Sequence, residues 1–373
     1  MKTKIKLVFY QSMKKLILVF FALSSSYFAY SQDYNPSAEL MGRYKIAARK
    51  MIRIPDIAGY KVLKGDFHLH TVNSDGNVSA GVRVEEAWEE GLDVIAITDH
   101  ISYTSGSKDE NMSYNQAVQV AKRKGITLVK GGEVAFDVVG HANFLFVDDL
   151  NKFQTSDWRT AFREAKAQGA FIHWNHPGWA VKIEWKPEHT ELFENGMLHG
   201  IELFCELEYY PVAADWCYDK NIVMMSNSDA HSAQMRLYDF NNMRYRPMTL
   251  ILAENNSLES IKDAMMNGRT IAYYFGRMTG KKEYLSELVN KSVSVNKEFY
   301  TEGDGKYHRI TNHSDLDFTF IIKDAKTGFP NRIDLPAGKL IDVYTNGDPA
   351  GVVYLVDNVI VGKGNEKLQI TLF

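Results

Sequence analysis

The sequence is poor in three features that would each favour a particular class of protein. It has only two cysteines, Cys205 and Cys217, so at most one disulfide can form. Cys205 lies in an apolar run that predicts a buried strand, which favours two free thiols over a bridge. The formal net charge is only −3 and no basic tract stands out, so nothing indicates a nucleic-acid partner. The N-terminal apolar run of about 8 residues is well short of the roughly 20 that span a bilayer.

That N-terminal segment has the organisation of a secretory signal peptide over residues 1–31. A lysine pair ending at Lys15 precedes the apolar run at 16–23, and Ala29 and Ser31 are small residues at the positions that signal peptidase recognises. The alternative is a membrane anchor, which would need a longer apolar run. We therefore expect cleavage after Ser31 and export to the periplasm or the extracellular space, with no transmembrane span in the mature protein.

What the sequence does have is a regular alternation of apolar and amphipathic segments between about residues 60 and 275. Continuous apolar strands alternating with helices predict a parallel sheet covered on both faces, or a closed barrel. The amphipathic stretches at 80–91, 115–125 and 155–169 each end on a glycine, as helices often do. The predicted strands are 65–70, 93–100, 126–135, 141–147, 170–176, 200–206 and 222–229.

Histidines and carboxylates are concentrated at the ends of these predicted strands. Imidazole and carboxylate are ligands that Zn, Mn and Fe prefer, and a set this large implies more than one metal and therefore metal-assisted hydrolysis. Residues two apart on a strand share a face, so we expect His68 and His70 to point the same way, as Asp229 and His231 do. Ligands at the carboxyl ends of strands are typical of the rim of an α/β barrel. The histidines and carboxylates of this set are Asp66, His68, His70, Asp75, Asp99, His100, Glu133, His141, His173, His176, Asp229 and His231.

The pattern changes after about residue 277. No helical periodicity longer than a turn is expected beyond residue 280, and short alternating runs are separated by Gly, Asp and Asn turns, which predicts a small all-β, sandwich-like domain. We expect this domain to contact a partner, a glycan or the barrel. The predicted organisation is a signal peptide (1–31), a lead-in segment (32–59), a metallohydrolase barrel (60–277) and the β domain (278–373).

Five motifs in this order resemble the PHP (polymerase and histidinol phosphatase) domain family. They are Asp66-Phe67-His68-Leu69-His70-Thr71 with Ser74-Asp75-Gly76, Ile97-Thr98-Asp99-His100, Gly132-Glu133-Val134, His176-Pro177 and Ser228-Asp229-Ala230-His231. The resemblance implies an α/β fold, a distorted seven-stranded (βα) barrel, with a site for three divalent metals, Zn, Mn or Fe. It also assigns the ligands. One metal would take His68, His70, Glu133 and Asp229, a second would share Glu133 with His141 and His176, and a third would take Asp75, His100 and His231.

The same resemblance implies the reaction. An exported PHP domain followed by a β domain is similar to a phosphodiesterase-type subgroup, in which a metal-bridging hydroxide beside Glu133 and Asp229 would attack a phosphodiester. Arg236 is the leading candidate to bind the phosphoryl oxygens, because phosphate recognition favours arginine, and Arg269 and Arg277 are further candidates. One alternative is a phosphomonoesterase that scavenges phosphate from sugar or nucleotide phosphates. Another is a surface-associated binding protein with structural metals, although such sites are closed and use about four ligands.

Three further groups of residues have roles that the sequence leaves open. His173 either contacts a ligand or the substrate, or simply packs in the core. Asp66 is a possible partner of a ligand, while strand alternation turns Asp99 away from the face of His100. The tryptophans of the loop after the fifth strand either stack on an organic leaving group or pack as a lid; they are Trp174, Trp179 and Trp185.

Overall fold

The computed structural model describes residues 48–103, 109–179, 182–234, 238–239 and 245–373, apart from the side chains of residues 297–298. The predicted signal peptide and Arg236 lie outside the described residues. No helix in the described ranges is long and apolar enough to cross a membrane. The helices are α1 (Ala80–Glu89), α2 (Met112–Lys124), α3 (Trp158–Ala167), α4 (Pro187–Glu194), α5 (Pro211–Lys220), α6 (Leu258–Met266) and α7 (Lys282–Ser292).

The strands fall into two sheets. The larger sheet has the order β15-β14-β17-β11-β10-β9-β1-β2-β3-β4-β5-β6-β7, with β8 added beside β6 and β18 beside β17, and the smaller sheet is β12-β13-β16. The strands are β1 (Lys61–Asp66), β2 (Val94–Ile97), β3 (Thr127–Phe136), β4 (Gly140–Leu145), β5 (Phe171–Trp174), β6 (Gly200–Cys205), β7 (Glu208–Tyr209), β8 (Val223–Asn227), β9 (Met248–Ala253), β10 (Thr270–Tyr274), β11 (Arg277–Gly280), β12 (Val293–Glu302), β13 (Gly305–Asn312), β14 (Phe318–Ile322), β15 (Arg332–Leu335), β16 (Leu340–Asn346), β17 (Tyr354–Gly362) and β18 (Glu366–Ile370).

The larger sheet is mixed and not closed, so the α/β class is confirmed while the closed barrel is not. β1, β2 and β3 are parallel, as are β5, β6 and β8, but β4 is antiparallel to both of its neighbours. β9 pairs with β1 in antiparallel orientation, from Lys61 opposite Ala253 to Gly65 opposite Thr249. Because β9 occupies this edge of β1, β8 cannot pair there and close the sheet into a barrel. A single isolated bridge between Leu69 and Ala230 connects the segments that follow β1 and β8.

The helices begin and end where local chemistry satisfies their free backbone groups. The side chains of Ser79 and Asp157 cap α1 and α3 by accepting hydrogen bonds from the first turn. Gly125 ends α2 in the left-handed conformation with φ of 70°, which a residue without a Cβ adopts at no steric cost. α1 packs against α2, and together they cover β2 and β3 through buried residues such as Val84 and Ala117. These helices therefore hold the parallel strands that carry the first candidate ligands.

The C-terminal region contains a helix that the sequence-based prediction missed. We predicted no helix beyond residue 280, and this was wrong: α7 has 11 residues. Its buried residues Leu285, Leu288, Val289 and Ser292 follow the i, i+3, i+4, i+7 spacing of an amphipathic helix. A buried face of only four residues is a weak helical signal in a sequence dominated by alternating strands. In the structure, α7 is stabilised by packing against β11, β17 and β18.

The strands after α7 form a two-sheet arrangement around a shared apolar core. Phe318 and Phe320 from the larger sheet and Ile310 and Val343 from the smaller sheet are buried in the same cluster. The larger sheet runs on from β11 into β17, which are parallel neighbours. The described residues from 48 onward form one compact unit, so the proposed division between residues 277 and 278 stays a prediction.

Candidate metal centre

The structure brings all of the candidate ligands into one cluster. His68 and His70 follow β1, His100 follows β2, His176 follows β5, and Asp229 and His231 follow β8, while Asp75 lies in the loop before α1. Glu133 and His141 lie on the antiparallel pair β3 and β4, where His141 is opposite Ala135. The carboxyl ends of parallel neighbours meet at one edge of a sheet, and the β3–β4 hairpin adds its two residues to that edge. The candidate ligands therefore lie together at one edge of the sheet, which is not closed into a barrel.

Glu133 lies at the middle of the cluster. Its Oε1 atom is 3.3 Å from Nε2 of His68 and 3.1 Å from Nδ1 of His141, and its Oε2 atom is 3.3 Å from Nε2 of His70 and 3.1 Å from Nδ1 of His100. Oε1 is also 3.5 Å from Nε2 of His176. One carboxylate thus faces five imidazoles, which is the geometry of a group that can bridge neighbouring cations.

The deep part of the cluster is made by His68, His70, Glu133 and Asp229. The Oδ1 atom of Asp229 lies 3.2 Å from Nε2 of His68 and 3.1 Å from Nε2 of His70. Both imidazole side chains are fully buried, and Glu133 is only 1% exposed. These four are the residues that the sequence assigned to a first metal.

The outer part of the cluster is open to solvent on one side. Asp75 lies 3.4 Å from His70, His100 and His231, measured between the nearest oxygen and nitrogen atoms. The side chains of Asp75, His231 and His141 are 28%, 33% and 26% exposed. The ligand atoms of His70, Asp75, His100 and His231 lie within 4.8 Å of one another and could hold one ion together. A molecule from solvent could reach this side without displacing buried residues.

The pKa values of the deep groups are shifted by the charged side chains around them. Burial alone would raise the pKa of Glu133, but the surrounding imidazoles, above all His68, hold it well below its usual range. Burial alone would lower the pKa of His70, yet Asp229 and Glu133 raise it to about 9. The carboxylates are therefore ionised and attract positive charge. A metal ion would replace the protons on the imidazoles, so metal binding would release protons.

Four ligand atoms in the deep part lie 3.1–3.3 Å apart in pairs but form no hydrogen bond of good geometry. Among the described residues, no hydrogen-bond partner exists for Nε2 of His68, Nε2 of His70, Oε2 of Glu133 or Oδ1 of Asp229. Buried polar atoms in folded proteins are nearly always paired, so four converging unpaired atoms need an explanation. Imidazole nitrogens and carboxylate oxygens suit Zn, Mn or Fe, and the set therefore fits divalent metal ions.

Two of the candidate ligands are held in a strained backbone conformation. His176 has φ of 25° and Asp229 has φ of 49°, where a side chain is sterically disfavoured. Such conformations cost on the order of 1–3 kcal/mol each and are concentrated at functional sites. Both residues lie two positions beyond the end of a strand, and their side chains belong to the cluster.

The structure adds Glu202, on β6, which the sequence-based prediction did not include. Its Oε1 atom lies 2.9 Å from Nδ1 of His68 and accepts from Nδ2 of Asn227 at 2.8 Å, and its Oε2 atom accepts from the backbone N–H of His176 at 2.8 Å. Burial would raise its pKa, but His68 lowers it to about 2. Glu202 therefore fixes the orientation of His68 and leaves Nε2 to face the cluster. The indication in the sequence was a carboxylate inside the apolar run Gly200–Cys205.

A second buried network holds the ends of β1 and β8 together. Asp66 accepts hydrogen bonds from Oγ and N of Ser228 at 2.5 and 3.1 Å, and from the backbone N–H of His68 at 3.3 Å. The Arg246 guanidinium donates to Asp66 at 2.9 Å and also contacts Glu90. Asp66 thus positions the backbone of two ligand segments, in line with the supporting role that the sequence allowed.

Asp99 and Asn175 support other parts of the cluster. Asp99 points away from His100 and accepts from N and Oγ1 of Thr71, both at 2.6 Å, and from Oγ of Ser74 at 2.5 Å. It thereby shapes the loop that carries Asp75. Asn175 was not predicted; its Nδ2 atom donates to Oε1 of Glu133 at 2.8 Å.

The remaining candidates do not join the cluster. His173 is fully buried in the core, and burial lowers its pKa to about 4. Arg269 is bound to Asp263, and the Arg277 guanidinium lies 5.2 Å from the centre of the Tyr209 ring. Cys205 and Cys217 are both buried free thiols.

Comparisons with known proteins agree with this geometry. A family model, the PHP domain, matches residues 66–315. No curated protein matched this sequence. A solved structure from Bacteroides vulgatus, described as a two-domain protein containing a predicted PHP-like metal-dependent phosphoesterase, is 35% identical with a TM-score of 0.82. That match covers 88% of this chain and 99% of the other.

Two other solved structures match more weakly. A candidate metal-dependent phosphoesterase from Bifidobacterium adolescentis is 16% identical with a TM-score of 0.38, covering 45% of this chain and 87% of the other. An amidohydrolase from Chromobacterium violaceum is 14% identical with a TM-score of 0.35, covering 46% and 89%. The ordered motifs, the family model and the similarity to the Bacteroides structure lead to one conclusion: the chain belongs to the PHP domain family.

Proposed function

We propose that this protein is a metal-dependent phosphoesterase, exported from the cell, that hydrolyses small-molecule phosphodiesters. The observation that carries the proposal is the cluster centred on Glu133, in which four buried ligand atoms converge without a hydrogen bond of good geometry and one side is open to solvent. The name of the Bacteroides relative, which contains a predicted PHP-like metal-dependent phosphoesterase, supports the same activity.

The residues of the cluster fit a site for three divalent metals, Zn, Mn or Fe. His68, His70, Glu133 and Asp229 would hold the first, Glu133 with His141 and His176 the second, and Asp75, His100 and His231 the third. Nδ1 of His70 also lies 3.4 Å from Oδ1 of Asp75, so these two side chains place the first and third sites next to each other. Divalent metals bound here supply Lewis acidity towards phosphoryl oxygens and make a water molecule acidic enough to act as a nucleophile near neutral pH.

The protein side chains have separate tasks in this proposal. Glu133 and Asp229 are the proposed catalytic carboxylates, since the neighbouring imidazoles lower the pKa of both and both face His68 and His70 within 3.3 Å. Glu202 keeps Nδ1 of His68 occupied, so the imidazole presents Nε2 to the site. Arg236 is proposed to bind the phosphoryl oxygens of the substrate. A fixed cation of this kind orients a phosphoester by charge-assisted hydrogen bonds.

The open outer side distinguishes a catalytic site from a structural one. Structural metal sites are closed and use about four ligands, whereas this cluster offers more donors and leaves Asp75, His141 and His231 partly exposed. A surface-associated binding protein with structural metals would need no such opening. The exposed rim therefore favours an enzyme over a binding module.

The activity can be tested with two chromogenic esters. Purified protein loaded with Mn²⁺ or Zn²⁺ should hydrolyse bis(p-nitrophenyl) phosphate faster than p-nitrophenyl phosphate, and Arg236→Ala should raise KM for the diester. Hydrolysis of the monoester alone would favour a phosphomonoesterase that scavenges phosphate. No hydrolysis of either ester by protein with a measured metal content would overturn the proposal.

Export can be tested separately in a bacterial host. The full chain should appear in the periplasmic or extracellular fraction without residues 1–31, as measured by mass spectrometry of the N-terminus. Retention of the uncleaved chain in the cytoplasm would contradict the predicted signal peptide and leave the enzymatic proposal intact.

A further inference from the structure

A cavity of about 360 Å³ lies directly beside the metal centre. Its walls come from the turn between β3 and β4 on one side and from the segment after β5 on the other. Two candidate metal ligands, His141 and His176, line the cavity as well as the cluster. This volume is within the range of pockets that bind small molecules, about 300–1,000 Å³. A phosphoester held at the cluster would therefore have its organic part next to, or inside, this cavity.

The back wall of the cavity is rigid. The Trp174 ring is 6% exposed and is stacked on His189, with ring centres 3.8 Å apart, and on Trp216, at 5.7 Å and an interplanar angle of 6°. His189 is fixed in turn, because its Nδ1 atom accepts from the backbone N–H of Lys186 at 3.0 Å and its Nε2 atom lies 3.2 Å from the Val139 carbonyl oxygen. A wall that is formed before the ligand arrives loses little entropy on binding.

Trp179 lies at the junction between the cavity and the cluster. Its ring centre is 5.6 Å from that of His176 and 5.9 Å from that of His141, and the residue is 57% exposed. Trp185, in contrast, packs on Trp216 and donates from Nε1 to Oγ1 of Thr190 at 2.9 Å. The sequence left open whether these tryptophans pack as a lid or stack on a ligand. Trp174 and Trp185 are committed to packing, and Trp179 keeps a large aromatic surface in solvent.

The charged residues of the cavity balance one another. Lys182 and Lys186 are matched by Asp137 and Glu184, and Nζ of Lys186 also donates to the Val138 carbonyl oxygen at 3.1 Å. These four side chains therefore carry no net formal charge. The aromatic and apolar walls decide what it can hold.

We propose that this cavity binds the organic part of the substrate, and that this part is a flat, uncharged aromatic alcohol stacked on Trp179. The inference rests on the proposed phosphoesterase function, because the phosphoryl group at the cluster anchors the ligand. A planar group next to an indole gains from stacking in addition to the burial of its apolar surface. An aliphatic alcohol of similar size would keep the burial but lose the stacking.

Inert phosphonates test the proposal by binding rather than by turnover. We would titrate the Mn²⁺-loaded protein calorimetrically with methylphosphonate, cyclohexylphosphonate and phenylphosphonate, which share the anionic head. Phenylphosphonate should bind about tenfold more tightly than methylphosphonate, equivalent to about 1.4 kcal/mol, with cyclohexylphosphonate between them. Trp179→Ala should reduce the phenyl-to-methyl ratio to the cyclohexyl-to-methyl ratio, because the stacking is lost while the other apolar walls remain.

The control is Tyr300→Ala, which removes an aromatic residue of similar exposure, 56%, from β12 in the smaller sheet. This variant should keep the wild-type ratio. A ratio near one in the wild-type protein, an unchanged ratio in Trp179→Ala, or equal binding of the cyclohexyl and phenyl compounds would each overturn the aromatic pocket alone. Failure of all three phosphonates to bind to protein that hydrolyses bis(p-nitrophenyl) phosphate would overturn this inference alone, whereas failure of both binding and hydrolysis would overturn the proposed function as well.

Discussion

The metal centre and the C-terminal strands both bury polar groups, but they differ in how completely those groups are hydrogen-bonded. In the C-terminal region Asn312 is buried and fully engaged, donating to the carbonyl oxygens of Leu316 and Pro336 at 2.6 and 3.1 Å and accepting from Ser314. At the metal centre, His70 and Glu133 are as deeply buried, yet each has an atom without a hydrogen-bond partner among the described residues.

The difference shows what each region is built for. Buried polar groups that are paired stabilise loops, and unpaired ones cost free energy unless a ligand completes them. The C-terminal region derives its stability from apolar residues such as Phe320 and Val356 and places charges in exposed pairs, including Arg309 with Asp342. Carboxylates and imidazoles buried at the metal centre stabilise the fold less than apolar side chains would. Their arrangement allows a cation to bind there.

Loss of a carboxylate from the metal centre should have the largest effect. Asp229→Asn removes the charge 3.1–3.2 Å from the Nε2 atoms of His70 and His68. We expect turnover of a phosphoester to fall about a thousandfold, equivalent to about 4 kcal/mol, together with a lower metal content. The measurements are steady-state kinetics and elemental analysis. The matched control, Asp342→Asn in the C-terminal region, should leave both unchanged, and near-normal turnover in Asp229→Asn would remove Asp229 from the mechanism.

A cavity in the C-terminal core should affect stability rather than metal binding. Phe320 is fully buried between the two sheets, so Phe320→Ala should lower the free energy of unfolding by about 3–5 kcal/mol, measured by urea denaturation. Metal content per folded molecule should not change. If metal content per folded molecule fell together with the free energy of unfolding, the C-terminal core and the metal centre would not be independent.

Replacement of the partner of His68 should have an intermediate effect. Glu202→Gln keeps the shape of the side chain but weakens its hold on Nδ1 of His68, so metal affinity should fall about 10- to 100-fold. Competition with a chromogenic chelator would measure this directly. An exposed glutamate, Glu254, provides the control as Glu254→Gln, and equal affinities in the two variants would show that Glu202 only fills space.

Loss of an exposed ion pair should have the smallest effect. Arg309 donates to Asp342 through Nε and Nη2 at 2.8 and 2.9 Å, but both side chains are largely in solvent, where such pairs contribute little to stability. We expect Arg309→Ala to leave the urea midpoint within experimental error. A clear drop would mean that charge pairing, and not apolar packing, holds the smaller sheet together.

The nine members of the cluster could be named from the sequence because the motifs that resemble the PHP family are short and local. His68 and His70 are recognisable as a pair on one strand, and Asp229 and His231 repeat that spacing. Glu202 and Arg246 were not predicted because each acts through a partner that is distant in the sequence. His68 is 134 residues from Glu202, and Asp66 is 180 residues from Arg246. No local pattern records such a contact.

The fold was predictable to a similar extent. The alternation of strands and helices identified the α/β region and the strands after residue 290, since side-chain periodicity is a local property. The antiparallel insertion of β4, the pairing of β9 with β1 and the helix α7 were not predicted. Strand partners depend on which edges are free in three dimensions, and a short helix with one buried face depends on the neighbours that cover it.

By itself the sequence determined the chemistry of this protein: imidazoles and carboxylates at strand ends, in the order of the PHP family, on an α/β framework. Only the tertiary structure decided that Glu133 faces five of those imidazoles, that Glu202 directs one of them, and that a cavity with Trp179 at its edge adjoins the cluster. The physical reason is the distance along the chain over which each property is set. Residue type and spacing are fixed along the chain, whereas burial, distance and electric field arise only when distant segments pack together.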